Sequence, residues 1–345
     1  MLRVAAFARA TMKTMKALML VEYGRFEITD VDEPEIAPDE VLVRVKACGI
    51  CGSDVHGYHG ATGRRIPPIV MGHEASGDIV SVGSEVTDWS AGDRVTFDST
   101  IFCGACEYCR RGEINLCDNR RVLGVSCGEY RRQGAFADLV AVPARVLCRL
   151  PDGLEYTKAA MVEPVSVAVH GVKRAQVSPG DRVVVVGAGM IGLLVVQVAK
   201  QAGAAEVIAV DIDPRKRQMA LDLGATSAQE TADGLEVDVA IEAVGIDATV
   251  GMAMRCVRKG GRVSLVGNLA PEVKIPLQVV VTREITLYGC CASQGDYPES
   301  LDLIASGKVR VDSMISERIG LEQAPEYFDR LNRNDPALMK VMVCP

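Results

Sequence analysis

Residues 183–192 read VVVVGAGMIG. Four consecutive valines make a run too continuously apolar for a strand with one wet face, which would alternate. Glycines follow at G-x-G-x-x-G spacing, and a helix-period stretch, LLVVQVAKQAG, runs on to Gly203. A buried strand, a glycine turn and a helix in that order constrain this chain more than any other feature. They call for a parallel sheet with helices on both faces. Gly187 allows the turn, and Gly189 lets a pyrophosphate approach the backbone around Met190 and Ile191. Gly192 lets the helix pack on the strand, and the helix N-terminus offers its positive end to phosphates. The turn alone leaves the nucleotide open. Asp211, however, ends the next strand, EVIAVD, at the spacing of an acid that accepts from ribose hydroxyls and repels a 2′-phosphate. That favours NAD over NADP, although Arg215 and Lys216 stand near enough in sequence to meet a phosphate.

The alternation continues with a helix opened by Pro214 and closed by Gly224, then apolar strands in VDVAIEAVG (237–245), RVSLVG (262–267) and EITLYG (284–289). Residues 156–291 therefore read as one doubly wound α/β domain. Residues 1–155 differ: Val41, Val43 and Val45 alternate, and Pro or Gly interrupts about every ten residues, as in a β-rich barrel or sandwich. Residues 292–345 look mixed and are predicted to return to the first domain. A chain of 345 residues has room for both cores.

A net charge of −7 argues against phosphate-backbone binding, and Arg120-Arg121 and Arg215–Arg217 read as solvated faces. No stretch approaches the roughly 20 apolar residues of a membrane span. The opening MLRVAAFARATMKT is basic and free of acids, like a transit peptide. The alternative is an upstream start codon with Met12 or Met15 as the natural start, which places the protein in the cytoplasm. Arg64 and Arg65 could greet a phosphate but read as an exposed loop.

Twelve cysteines without a signal peptide point to metal or chemistry rather than disulfides. Cys103, Cys106, Cys109 and Cys117 follow C-x2-C-x2-C-x7-C, close enough to close a tetrahedral thiolate shell around one zinc. The bacterial iron–sulfur run begins similarly but continues C-x3-C-P. A closed four-thiolate shell has no open position, so this metal, in a lobe at about 98–120, is read as structural. Chemistry needs a second, open site. A cysteine from KACGICGSDVHGYHG, His73 with Glu74 in VMGHEASG, and Glu163 in MVEPVSVAVH would leave room for a substrate oxygen. Singly each is mundane: the Cys48/Cys51 pair a redox motif or half a zinc finger, His73 a core histidine, Glu163 a helix N-terminal acid.

Together GICGSDVH, GHEASG, the four-cysteine lobe, EPVSVAVH and VVVGAGMIG resemble, in order from about Met15 to the C-terminus, the zinc-dependent medium-chain dehydrogenase/reductase family. The polyol (sorbitol/galactitol) dehydrogenase branch is the most similar. The resemblance implies a GroES-like β-rich catalytic domain with a Rossmann NAD-binding domain, and two zinc ions per chain, one catalytic and one structural. It implies hydride transfer from a secondary alcohol of a polyol, possibly phosphorylated, to NAD, giving the ketose. Threonine, 2,3-butanediol or simple alcohol oxidation is the alternative within the family. By resemblance Cys51, His73 and Glu163 hold the catalytic zinc, with Glu74 a further possible ligand and Cys48 without a metal role. Asp54 orients His73, Ser53 and His56 form the proton relay, and Tyr58 lies near the substrate. Where sorbitol dehydrogenases present an Arg-Tyr pair, this chain has Cys290-Cys-Ala-Ser293, which puts sorbitol itself in doubt. A homo-dimer or homo-tetramer is implied, pairing near 284–289. Two other classes compete, a zinc-ribbon binding module and a non-catalytic relative. Charge and the glycine loop disfavour the first, and the intact ligand set disfavours the second.

Overall fold

The computed structural model describes residues 13–345; residues 1–12, which carry most of the basic opening stretch, lie outside the described residues. The valine run forms the strand Arg182–Val186 at the centre of a six-stranded sheet. The sheet order is Ser227–Gln229, Glu206–Val210, Arg182–Val186, Val237–Glu242, Val257–Leu265, Thr286–Gly289, with every pairing parallel. This is the Rossmann order, in which the direction of strand addition reverses beside Arg182–Val186 and opens a crevice at the carboxyl ends. Successive valines serve opposite faces. Val183 and Val185 pack with the helices Val162–Arg174 and Met190–Gln201, whereas Val184 and Val186 pack with Asp247–Cys256. Burial on both sides is why no alternation is visible in the sequence.

The GroES-like half is built on a seven-stranded sheet whose main path runs Leu147–Arg149, Arg94–Phe97, Glu74–Val82, Glu40–Gly49, Lys340–Val343, Ile315–Ile319. Leu139–Pro143 pairs with the first half of Glu40–Gly49, from Glu40 to Arg44. The strand Lys340–Val343, near the end of the chain, lies against Gly49 and Cys48. Its register brings Met342 and Val343 alongside the KACGIC stretch.

Candidate active site

Strand register assembles the first ligand group. Gly49 pairs with Glu74, so the chain leaving one strand at Cys51 arrives beside His73 and Glu74 at the start of the other. Cys51 then caps the short helix Gly52–Tyr58. Ligand atoms of Cys51, His73 and Glu74 all lie within 4.8 Å of one another. His73 is buried, and its Nδ1 stands 3.3 Å from Asp54 Oδ2; neither atom has another partner. Burial works against the Asp54 carboxylate, but His73 and Arg65 outweigh it and hold this carboxyl well below its usual range. Burial likewise works against a His73 imidazolium, and Asp54 and Cys51 outweigh it, raising His73 well above its ordinary value. A soft thiolate, an imidazole tied at Nδ1 and a carboxylate are donors suited to zinc.

The two acids are placed differently. Glu74 stands within the group of converging ligand atoms, and Glu163 lies outside it. Yet both Glu74 oxygens accept from buried Lys340 Nζ, at 2.6 and 2.9 Å, and the same nitrogen donates to Ile50 O at 3.1 Å. Glu163, near the start of the helix Val162–Arg174, is half-buried beside them. No side chain donates to its carboxylate among the described residues; its backbone carbonyl accepts from Ser166 Oγ at 2.7 Å. Burial, with Glu74 and Asp98 adding and His73 and Lys340 opposing, pushes the Glu163 carboxyl up to about 7. No donor is bonded to this carboxyl among the described residues, and a metal there would offset its burial.

Around this group Ser53 is half-buried and His56 exposed, on the same short helix. Tyr58 is buried: its ring stacks on Phe26 at 4.7 Å and packs with Phe328, and its hydroxyl donates to Gly24 O at 2.5 Å. Arg65 corrects the sequence reading, since it is only 4% exposed rather than part of a solvated loop. Sequence reading missed Lys340 altogether. It offers no motif, and 266 positions separate it from its partner.

The lobe cysteines also converge. Their four sulfurs lie within 4.8 Å of one another, with Cys103 to Cys109 at 4.0 Å and Cys106 to Cys109 at 3.5 Å. Four sulfurs at Zn–S distances around one tetrahedral ion would stand about 3.8 Å apart. Backbone amides of Ala105 and Cys106 donate to Cys103 Sγ at 3.4 and 3.3 Å, and pull its thiol down to about 6. All twelve cysteines are free.

At the crevice of the parallel sheet, Gly187 adopts φ +95°, and a side chain at Gly192 would stand 1.7 Å from Gly187 O. A Cβ at Gly189 would meet only open space, the room a pyrophosphate would fill. Asp211 stands beside this turn. Its Oδ2 accepts from Ala188 N and its Oδ1 from Asp213 N, both at 2.8 Å. Arg215 is turned away onto Asp213, at 2.8 Å, and Arg217 donates to the Asp211 and Ile212 carbonyls. The residues fit a dinucleotide.

Known proteins resemble this chain in sequence and fold. Residues 37–152 match the alcohol dehydrogenase GroES-like domain, and residues 191–306 match the zinc-binding dehydrogenase family. The chain is 34% identical to a sorbitol dehydrogenase of Bacillus subtilis, over 96% of this chain and 98% of that one. It is 34% identical to an L-idonate 5-dehydrogenase of Vitis vinifera, over 90% and 89%. A zinc-binding dehydrogenase structure from Sinorhizobium meliloti, bound to NADP, superposes with a TM-score of 0.87 at 35% identity, covering 96% of this chain and 100% of the other. Two family matches, full-length relatives and a site with the family's donor types lead to one conclusion: the chain belongs to the zinc-type medium-chain dehydrogenase/reductase family, in its polyol dehydrogenase branch, and is an alcohol or polyol dehydrogenase.

Proposed function

We propose that the protein oxidises a secondary hydroxyl of a polyol, using NAD, with one catalytic zinc on Cys51, His73 and Glu163 and one structural zinc on Cys103, Cys106, Cys109 and Cys117. When bound, the catalytic zinc acts as a Lewis acid on the substrate hydroxyl and the nicotinamide accepts hydride. The rest is the work of side chains. Asp54 takes the Nδ1 proton of His73 as a hydrogen bond and leaves Nε2 free as a ligand. Lys340 holds both oxygens of Glu74, so Glu163, whose carboxylate accepts no hydrogen bond from a side chain among the described residues, is the acid that would ligate the metal. Ser53 receives the substrate proton, and exposed His56 releases it to solvent. The single observation that carries the reading is the convergence of Cys51, His73 and Glu74 in a chain with a dinucleotide fold.

NAD is favoured because Asp211 faces the glycine turn while Arg215 is engaged by Asp213. The NADP of the Sinorhizobium relative makes the NAD/NADP comparison a necessary arm of the test. The sorbitol and idonate relatives support a polyhydroxylated substrate. Cys290–Ser293, in place of the Arg-Tyr pair, argues for a polyol other than sorbitol. Subunit pairing along Thr286–Gly289 is supported by its position at the sheet edge and by exposed Leu277 and Val281 on the adjoining helix Leu277–Thr282. A reducing, cytoplasmic setting is supported by the free cysteines, and among the described residues no helix is long and apolar enough to cross a membrane.

The test is a screen of NAD and NADP reduction over C4–C6 polyols, polyol phosphates, aldonates, threonine and 2,3-butanediol, with metal analysis. Turnover of a polyol with NAD and about two zincs per chain is the expected result. Protein loaded with both metals that oxidises no polyol would sink the proposal.

A further inference from the structure

Arg65 sits in GRRIPP, a stretch that reads as surface, yet the fold takes its side chain inside. The neighbouring backbone is clamped. Ser126 N donates to Arg64 O at 3.0 Å, and Ser126 Oγ donates to Ile66 O at 2.8 Å. Gly57 is what lets the arginine pass, because a Cβ there would stand 2.6 Å from Arg65 Cγ. At the end of this path Arg65 Nη2 donates to Asp54 Oδ1 at 2.8 Å and to Ser53 Oγ at 3.1 Å. A buried guanidinium is costly without partners, and its partners here are consecutive residues that both bear on the catalytic site.

We propose that Arg65 is a positioning residue, which uses one nitrogen to hold both the carboxylate that orients His73 and the hydroxyl that moves the substrate proton. The part concerning Ser53 rests on the function proposed above; the part concerning Asp54 and His73 does not. Asp54 is shared, with Oδ1 on Arg65 and Oδ2 facing His73, so two anchors set the plane of the carboxylate. For Ser53 the argument is one of donor counting. A guanidinium has no acceptor, so the Ser53 hydroxyl hydrogen cannot point at Arg65. Its nitrogen occupies one of the two lone pairs of Oγ. One acceptor and one donor remain for the cleft, so Ser53 receives a proton on one side and gives its own away on the other. The nearby positive charge also favours the oxygen at the moment it has lost its proton.

The test uses Arg65→Met, Arg65→Lys and Gly57→Ala in the full chain, with structural zinc kept and the catalytic metal exchanged for cobalt(II). Cobalt affinity and its visible spectrum report on His73 without any turnover, and kcat and KM are then measured with sorbitol and NAD as probes. Arg65→Met should weaken cobalt binding about 10- to 100-fold, the scale for removing an outer partner of a metal ligand. It should also shift the cobalt bands and lower kcat far more than it raises KM. Arg65→Lys should recover part of each loss, since an ammonium still donates to both oxygens. Gly57→Ala should mimic Arg65→Met by displacing the side chain. Wild-type cobalt affinity and spectrum in Arg65→Met would overturn the proposal. So would a loss of activity that only follows a fall in melting temperature, with the spectrum of the folded protein unchanged. If Arg65→Met does not fold, Arg65→Lys and Gly57→Ala decide the matter by the same readouts. If wild type does not oxidise sorbitol, the spectra still decide the placement of Asp54 and His73, and the screen above decides the function.

Discussion

Replacing Lys340 with Met isolates the least visible part of this site. Its Nζ lies 2.6 and 2.9 Å from the two Glu74 oxygens, with side chains only 2% and 1% exposed. Burial opposes the ammonium, but Glu74, then Cys51, raise its pKa above the ordinary 10.5. A cation with a raised folded pKa contributes its full stability below the unfolded value, so the pair is intact at neutral pH and is lost only as pH rises through the folded pKa. Met keeps most of the aliphatic volume, so the loss is mainly electrostatic. Removing one partner of a buried ion pair costs about 3–5 kcal/mol, because the other charge is left uncompensated. At about 2–4 °C per kcal/mol for a unit of 150–250 residues, the catalytic half should melt roughly 6–20 °C lower. Glu74 also stands within 4.8 Å of the Cys51 and His73 ligand atoms, so a cation bound there can take up its released charge. The full loss is therefore expected after the catalytic metal is removed, and a smaller one with zinc in place. The double variant Lys340→Met/Glu74→Gln should regain most of the loss, because neither charge remains. Melting by circular dichroism, with and without catalytic zinc, checks all three values. Wild-type stability of Lys340→Met in metal-free protein, or a double variant no better than the single one, would refute the reasoning.

Glu163→Gln should lower turnover and catalytic zinc content more than Glu74→Gln does; equal zinc loss in both would contradict the assignment of the third ligand. Cys103→Ser should reduce metal content from about two zincs to about one and open the lobe at 98–120 to proteolysis, while NAD binding persists; full thermal stability without that zinc would exclude a structural role. Asp98 is buried, and burial, partly offset by Thr100 N–H, pushes its carboxyl up to about 7. Its folded pKa is raised, so the fold is penalised as pH rises from the unfolded value through 7. Asp98→Asn should therefore stabilise at pH 8.5, by at most about 4 kcal/mol, and by about half as much at pH 5.5; equal effects at both, read by urea unfolding, would be the contrary result. Asp211→Ser should weaken NAD binding about tenfold, the scale of a charged hydrogen bond, with less effect on NADP; isothermal titration separates the two.

Legibility follows the range of the interaction. The glycine turn, Asp211 and the lobe cysteines lie close along the chain, and each is visible as a spacing because its job is done by neighbours. Cys51 and His73 are farther apart, yet their motifs can be read because a metal demands particular donor types. Asp54 Oδ2 stands 3.3 Å from His73 Nδ1, a meeting of two motifs that lie 19 residues apart in the chain. The contacts of Tyr58, a stack on Phe26 and a bond to Gly24 O, could not be read from its place after GSDVH, because they come from a distant strand and turn.

A parallel α/β half with a dinucleotide turn, a β-rich half, a four-thiolate lobe and the donor types of a second metal site are all written in the order of residues. Periodicity and ligand chemistry are local properties, and local properties survive in one dimension. Which charges meet is settled in three dimensions. The antiparallel pairing of Met342 with Gly49 and Val343 with Cys48 places Lys340 under Glu74, and Gly57 lets Arg65 reach Asp54 and Ser53. Those partners are chosen by strand register and burial, and inside the protein it is the partner of each acid that decides which carboxylate remains for a metal.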